Sequence, residues 1–359
     1  MERGNSNKKP VMERGKKLLS KQIKKKITKE PEILEGYFPG TGGNISTGST
    51  LLDLCISGGR IRGGGLPGGI LVEIFGPNGS GKTVLASQIA GDIQLKGGDV
   101  KFHDPEARLN PTFAKMFGLE LQQGNYHQPD TVPEIFETVK DWKPKGKGII
   151  HGVIADSLAA LSTNMEMEKK EGDKMGGRRA KEFSEGLRKT CRILKQNNYL
   201  MVCTNQIRQN FDAGPFGQKY TTPGGEAVGF YSSCRLRTSI ISKVKKVVNF
   251  HGEKVQRIIG VDINVEIYKN SIWKPYHVAP VTIIFDYGID DIRQNLKFLK
   301  EYSNKSVYFI GNDLLDKSIE KSIKMIEDAE REEELRQEVI LLWNKIETQF
   351  DSNRKPKNP

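Results

Sequence analysis

The chain has 359 residues, 36% of them hydrophobic and 28% charged. That is room for one large core with small appendages, and no apolar run approaches the roughly 20 residues that cross a bilayer. The net charge of +12, from 56 Lys and Arg against 44 Asp and Glu, favours a polyanionic partner over an acid-repelling one.

The charge is uneven. Residues 1–30 hold eleven Lys or Arg and three Glu, so this segment alone contributes +8 (11 − 3). It is basic without an apolar h-region, which argues against a secretory signal and predicts a cytoplasmic protein that does not engage membranes. Leu19, Ile23 and Ile27 make one apolar stripe on a basic helix. Such a stripe packs on this chain or on a neighbouring subunit, and residues 30–48 read as a linker. Cys55, Cys191, Cys203 and Cys234 are widely spaced, with no Cys-x-x-Cys and no histidine at ligand spacing. Buried thiols and no structural metal are expected.

Ile70 to Phe75 is a short apolar run that reads as a buried strand, and Val84 to Ala90 suits a helix. Between them lies Gly76-Pro77-Asn78-Gly79-Ser80-Gly81-Lys82-Thr83, a complete phosphate-binding loop in its required strand–loop–helix setting. Its glycines let backbone N–H groups turn toward phosphate oxygens, and a Cβ at Gly79 or Gly81 is expected to obstruct that approach. Lys82 supplies a point charge and the Thr83 hydroxyl a ligand for Mg²⁺. The implied ligand is a nucleoside triphosphate with Mg²⁺.

Val100 to His103 is strand-like, and Asp104 and Glu106 follow it. Ligands collect at such strand ends beside a phosphate loop, and either carboxylate can polarise an attacking water. Residues 149–155 form another buried strand, closed by Asp156. That acid either caps the next helix or holds the Mg²⁺ hydration shell, and the phosphate loop upstream favours the metal. Leu200 to Thr204 is a further strand, ending in Asn205-Gln206-Ile207-Arg208. An amide there can register the γ-phosphate, or it can be an ordinary polar strand end.

Helical patterns near 84–96, 132–140 and 178–197 alternate with these strands, which predicts a parallel sheet with helices on both faces. Strands at Cys234–Ile241, Gln256–Tyr268 and Val281–Phe285 follow in quicker succession and predict an antiparallel or mixed extension. Residues 242–256 read as a hairpin with a basic rim. After about 290 the pattern turns polar and helical, and the last residues are expected to be disordered.

Taken in order, these segments resemble the bacterial RecA recombinases over about 45–290. The resemblance rests on Ser46-Thr47-Gly48-Ser49 with Leu52-Asp53, and on Val72 to Pro77 with the phosphate loop. It continues through Asp104, Glu106, Leu109 and Pro111, then Gln128-Pro129-Asp130-Thr131 and Asp156 to Leu161. Asn205-Gln206-Ile207-Arg208 and Gly224-Gly225 with Phe230-Tyr231-Ser232 complete it. It implies an α/β fold: a RecA-like ATPase core at 45–290 with a mostly parallel central sheet flanked by helices. An oligomerisation helix and linker at 1–44, a small C-terminal helical (α+β) region at 291–350 and a tail at 351–359 surround it.

The resemblance also implies roles. ATP and Mg²⁺ would be bound by Gly76, Pro77, Asn78, Gly79, Ser80, Gly81, Lys82, Thr83 and Val84, with Asn110 and Phe113 at the adenine and Thr83 and Asp156 at the metal. Glu106 falls on the family's catalytic glutamate, Gln206 on the glutamine that couples the γ-phosphate to a DNA-binding loop, and Lys269 on a lysine that enters the neighbouring subunit's site. Two loops, at about 164–180 and 207–224, would contact single-stranded DNA through Met175, Gly176, Arg178, Arg179, Arg208, Phe216, Lys219, Gly224 and Gly225. Lys181 and Arg188, in the helical stretch after the first loop, belong to the same expectation.

The implied function is a DNA-dependent ATPase that forms a helical filament on single-stranded DNA and pairs it with a homologous duplex. Two alternatives share this core: a mediator ATPase that binds DNA without exchanging strands, and a ring helicase. The chain departs from the family pattern in several places. Ser271 replaces a second inter-subunit lysine, although Lys274 follows nearby, and Asn110 stands for Asp. The C-terminus ends basic, and these departures fit a phage or mobile-element origin as well as a cellular one.

Overall fold

The computed structural model describes residues 43–59, 64–146, 148–162, 176–209, 220–223, 225–352 and 354. The basic arm, Met175, Phe216, Lys219 and Gly224 lie outside them. The first helix, α1 (Thr50–Ser57), starts where the Ser49 side chain accepts from Leu52 N–H and stops at Gly58, whose φ of 71° ends it in the left-handed region.

From there strands and helices alternate: β1 (Ile70–Gly76), α2 (Lys82–Leu95), β2 (Val100–His103), α3 (Pro111–Lys115), β3 (Tyr126–His127), α4 (Val132–Asp141) and β4 (His151–Ala155). A reciprocal capping box fixes the start of α4, with Thr131 N–H donating to Glu134 Oε1 at 3.0 Å. Helix α5 (Gly176–Asn197) leads into β5 (Tyr199–Gln206). A ribbon of β6 (Arg208–Gln209) and β7 (Tyr220–Thr221) precedes α6 (Gly225–Tyr231). Then come β8 (Cys234–Phe250), β9 (Glu253–Asn270), β10 (Val278–Ile284) and β11 (Gly288–Ile289). The chain continues through α7 (Asp291–Glu301), β12 (Phe309–Ile310), β13 (Asp313–Leu314), α8 (Ile319–Asp328) and α9 (Glu332–Glu347).

Among the described residues, nine strands form one sheet in the order β11-β10-β9-β8-β1-β5-β4-β2-β3. From β3 to β8 the pairing is parallel, and from β8 to β11 antiparallel. The fold is therefore α/β, with the expected mixed extension. Successive residues of each central strand feed opposite faces. Leu71, Val153, Met201 and Cys203 pack with α4, α5 and α6, while Val72, Ile74, Ile154, Leu200 and Val202 join a larger core with α1 and α2.

That larger core also takes Ile292, Leu296, Leu335, Val339 and Trp343 from the C-terminal helices. Thr50 N–H and Oγ1 donate to the two oxygens of Asp291 at 2.7 and 2.6 Å, which ties α1 to α7. Cys55, Cys203 and Cys234 are buried free thiols, and burial pushes Cys55 and Cys234 up to about 12. Among the described residues no helix is long and apolar enough to cross a membrane.

Candidate active site

Strand β1 is apolar on both faces, as a strand between two parallel neighbours must be, and it delivers residues 76–83 to the C-terminal edge of the sheet. The loop ends at the N-terminus of α2, where free N–H groups and the helix dipole favour an anion. Gly79 and Gly81 have φ of 72° and 81°, in the left-handed region. Within the protein their surroundings differ. A Cβ at Gly81 would strike Ile283 Cδ1 of β10, whereas a Cβ at Gly79 would meet nothing within 4 Å. At Gly79 the positive φ alone would strain any other residue, and its free side leaves room for a ligand.

Ser80 is buried and braces the loop from within, donating to Pro77 O at 2.7 Å with its oxygen 2.6 Å from Thr238 Oγ1. Pro77, Asn78 and Gly79 are exposed and Val84 is half-buried. Lys82 Nζ donates to the carbonyls of Gly76 and Pro77 at 3.1 and 2.8 Å. Burial pulls its pKa down, while the charges of Asp156 and Glu106 oppose that shift. Lys82 therefore lies within the field of both acids.

Asp156 follows β4 and accepts a hydrogen bond from the Thr204 hydroxyl, with the Thr83 hydroxyl close by. Burial pushes its pKa up, the hydroxyls oppose this, and the Asp104 and Glu106 charges add to it. The charges of Asp104 and Glu106 thus reach Asp156 beside the loop. Among the described residues no group of three or more His, Cys, Asp or Glu is placed to hold a metal. The Thr83–Asp156 pair suits an ion completed by phosphate and water, which is how Mg²⁺ is usually held.

The two acids after β2 have different surroundings. Asp104 is 3% exposed, and its Oδ2 accepts from Leu109 N–H and Tyr126 Oη–H, each at 2.8 Å. It clamps the 104–109 turn. Glu106 keeps its carboxylate at the mouth of the site, paired at 2.7 Å with Arg108. Asn110 is exposed, and its side chain accepts from Thr112 N–H at 2.8 Å, capping α3. Phe113 sits edge-on to Phe117 at 4.8 Å. Tyr287 is half exposed at the β10–β11 turn, and a Cβ on the following Gly288 would crowd the Phe117 ring.

His103 is buried, stacks on His127 at 5.3 Å, and has neither ring nitrogen partnered among the described residues. Burial, reinforced by His127 and Lys101, pulls its pKa from 6.5 to about 3. The unfolded chain takes a proton there below pH 6.5 while the folded chain stays neutral, so acid favours unfolding. Compared with His103→Phe, the native protein should lose up to about 1.4 kcal/mol per pH unit between pH 6.5 and 3. Asp53, pushed up to about 6 by burial, acts in the opposite direction but is common to both proteins. Urea titrations across that range test this, and parallel pH profiles would refute it.

Gln206 ends β5 half-buried, and its N–H donates to Asn205 Oδ1 at 3.0 Å. Asn205 Nδ2 donates onward to Glu73 Oε1 at 3.0 Å and to Pro223 O at 2.9 Å. Glu73 is fully buried and receives Arg235 Nε at 2.6 Å, and the guanidinium lies over Phe75 and Tyr268 at 4.6 and 5.4 Å. Arg235→Ala would leave that carboxylate buried without its counter-ion. A loss of about 3 kcal/mol is expected in urea denaturation, and an unchanged midpoint would remove the pair's structural role.

The predicted DNA-contacting residues fall in two places. The first loop ends sooner than the sequence suggested, since Gly176, Arg178 and Arg179 already belong to α5. Lys181 and Arg188 are exposed on α5 and share a face at heptad spacing. In the second loop, Arg208 lies on β6, paired with Thr221 of β7, so the base of that loop is a β-ribbon; Gly225 opens α6.

Lys269 is half-buried and donates to the Gly229 and Phe230 carbonyls at 3.0 and 2.8 Å, at the C-terminal end of α6. Ser271 N–H donates to Ser233 O at 2.7 Å. Lys274 reaches Glu347 and Asp351 at 3.5 and 3.4 Å, so within this chain it is engaged by the C-terminal segment rather than poised to replace a lysine at 271.

A phosphate loop at the edge of a mostly parallel sheet, with acids at the neighbouring strand ends, defines a phosphate-loop nucleotide-binding protein of the α/β class. Comparisons narrow the class. The family model described as the RecA N-terminal domain matches residues 19–290. Protein RecA of Borrelia hermsii (strain HS1 / DAH) is 32% identical over 321 residues, covering 88% of this chain and 86% of that protein. Protein RecA of Thermus aquaticus is 33% identical over 307 residues, covering 84% and 86%. Protein RecA of Legionella pneumophila (strain Corby) is 36% identical over 245 residues, covering 68% and 66%. A crystal structure of the RadB recombinase aligns with a TM-score of 0.46 at 21% identity, over 68% of this chain and 98% of that one. The chain belongs to the RecA family of recombinases.

Proposed function

We propose that this protein is a cytoplasmic DNA-dependent ATPase that polymerises on single-stranded DNA and catalyses homologous pairing and strand exchange. The observation that carries the reading is the hydrogen-bonded path Gln206–Asn205–Pro223, which links a strand end beside the phosphate loop to the base of the 207–224 loop. On binding of ATP, Lys82 would exchange the Gly76 and Pro77 carbonyls for phosphate oxygens. Glu106 would accept the proton of the attacking water, with Asp104 holding the turn that presents it. Thr83 and Asp156 would hold Mg²⁺, which supplies charge neutralisation at the β- and γ-phosphates. Asn110 and Phe113 would border the base.

Gln206 would register the γ-phosphate and shift Asn205, and with it Pro223. Met175, Gly176, Arg178, Arg179, Lys181 and Arg188 on one side, and Arg208, Phe216, Lys219, Gly224 and Gly225 on the other, would hold the single strand. Their roles are phosphate contact and base stacking. Lys269 would act in the neighbouring subunit's site by giving up the α6 carbonyls for a phosphate, and residues 1–44 would pack on the adjacent core. Repeated head-to-tail contacts that do not close produce a filament.

The test is joint-molecule formation between a single-stranded circle and a homologous linear duplex, with ATP and with a non-hydrolysable analogue. Joint molecules and extended filaments in the electron microscope are expected. ATP turnover without joint molecules would overturn strand exchange, and a discrete hexamer that unwinds a fork would overturn the filament.

A further inference from the structure

The β8–β9 hairpin outgrows the sheet that carries it. β8 pairs with β1 only over Cys234–Arg237, and β10 pairs with β9 only from Gly260 onward, yet β8 and β9 continue together to the turn at His251 and Gly252. From Lys245 to Phe250 every residue of β8 is exposed, as are Glu253, Lys254, Gln256, Arg257 and Ile258 opposite. This free segment is about 17 Å long at strand rise.

Its charges are arranged against its own stability. Lys246 lies directly opposite Arg257 in the register, and like charges directly opposed across strands are destabilising. The ion pairs on these strands stop lower down, at Arg237–Glu266 and Lys297–Asp262. Among the described residues no acid pairs with Lys243, Lys245, Lys246, Lys254 or Arg257. A cluster kept unneutralised by the chain is suited to an external anion.

The cations also occupy both faces. Lys245 opposite Ile258, and Lys254 opposite Asn249, share one face; Lys246 and Arg257 share the other. Val247, Val248 and Phe250, all exposed, lie toward the tip. A flat protein partner would meet one face and leave the other cations unused. A DNA groove presents phosphates on two walls, and the major groove, about 12 Å wide, admits a two-stranded ribbon.

We propose that the 245–258 ribbon inserts into a groove of duplex DNA, gripping both phosphate walls with Lys245, Lys246, Lys254 and Arg257. It is a duplex-holding site separate from the two loops assigned to the single strand, and it rests on the DNA-dependent reading of the protein.

Two full-length variants test it. Lys246→Glu creates an ion pair with Arg257, so it strengthens the ribbon while removing groove charge. K245Q/K246Q/K254Q/R257Q neutralises all four positions. Binding of a fluorescein-labelled duplex and of the matching single strand is measured by anisotropy at several salt concentrations, with ATP and Mg²⁺. Lys246→Glu should weaken duplex binding at least about tenfold, and the quadruple variant should make the log–log salt slope shallower by about 3 to 4. Single-strand affinity and DNA-stimulated ATP turnover should stay within about twofold of the native values.

Unchanged duplex binding in both variants overturns the site and leaves the recombinase reading standing, as does a native protein that binds single strand but no duplex. Equal loss of single-strand and duplex binding also overturns it, because the charges would then act without regard to groove. Failure of the native protein to bind either DNA overturns both readings.

Discussion

Lys82→Ala is expected to give a folded protein whose ATP hydrolysis falls by about 10²- to 10³-fold. The lysine opens α2, where alanine is at least as good a helix former, so the backbone of the loop should persist. Its ammonium lies in the field of Asp156 and Glu106, with Asp104 adding to the same negative cluster. Without it a triphosphate enters among three carboxylates with one positive charge fewer, which weakens binding as well as turnover. Steady-state ATPase kinetics with a thermal melt as control are the measurement. Native turnover in a folded variant would sink the assignment of this loop as the hydrolytic site.

Glu106→Gln is expected to separate binding from chemistry. Glutamine keeps the size of the side chain and can still accept from Arg108, but it cannot take a proton from water. Hydrolysis should slow by about 10²- to 10⁴-fold while a fluorescent nucleotide still binds, and complexes with single-stranded DNA should persist once formed. Asp104→Asn is the useful contrast. That carboxylate accepts from Leu109 N–H and Tyr126 Oη–H, so its loss should disturb the turn and lower stability. Loss of nucleotide binding in Glu106→Gln would assign the glutamate a structural part instead.

The central strands were readable because each is apolar on both faces between parallel neighbours, as Ile70–Phe75 and 149–155 show. Helix α1 escaped because all eight of its residues are buried, leaving no amphipathic period to detect. The start of α5 was misplaced because Gly176-Gly177 carries weak helix propensity and reads as loop. The phosphate loop was legible as a local pattern. The division of labour between Asp104 and Glu106 was not, since it depends on Tyr126, 22 residues away. The role of Glu73 was not legible within its own strand, because its counter-ion Arg235 lies 162 residues on. The 242–256 hairpin was visible as a turn with basic flanks, but its free length is set by where β1 and β10 stop pairing, and no local pattern encodes that.

The seam between the sheet and the C-terminal helices governs how the molecule comes apart. Trp273, beside the C-terminal end of β9, packs on Trp343 of α9 at 5.3 Å and on His277 at 4.8 Å, while His277 Nε2 lies 3.2 Å from Glu347 Oε1. A Cβ at Gly58, just past α1, would run into the Trp273 ring. Leu335, Val339 and Trp343 thus close the same core that backs the phosphate-loop strand. The last helices behave as a keystone: α9 cannot peel away without wetting the core beneath α1, and melting of that corner should spread into β1 and the loop it carries. Changes at the ribbon tip, which covers nothing, leave this cooperative unit intact.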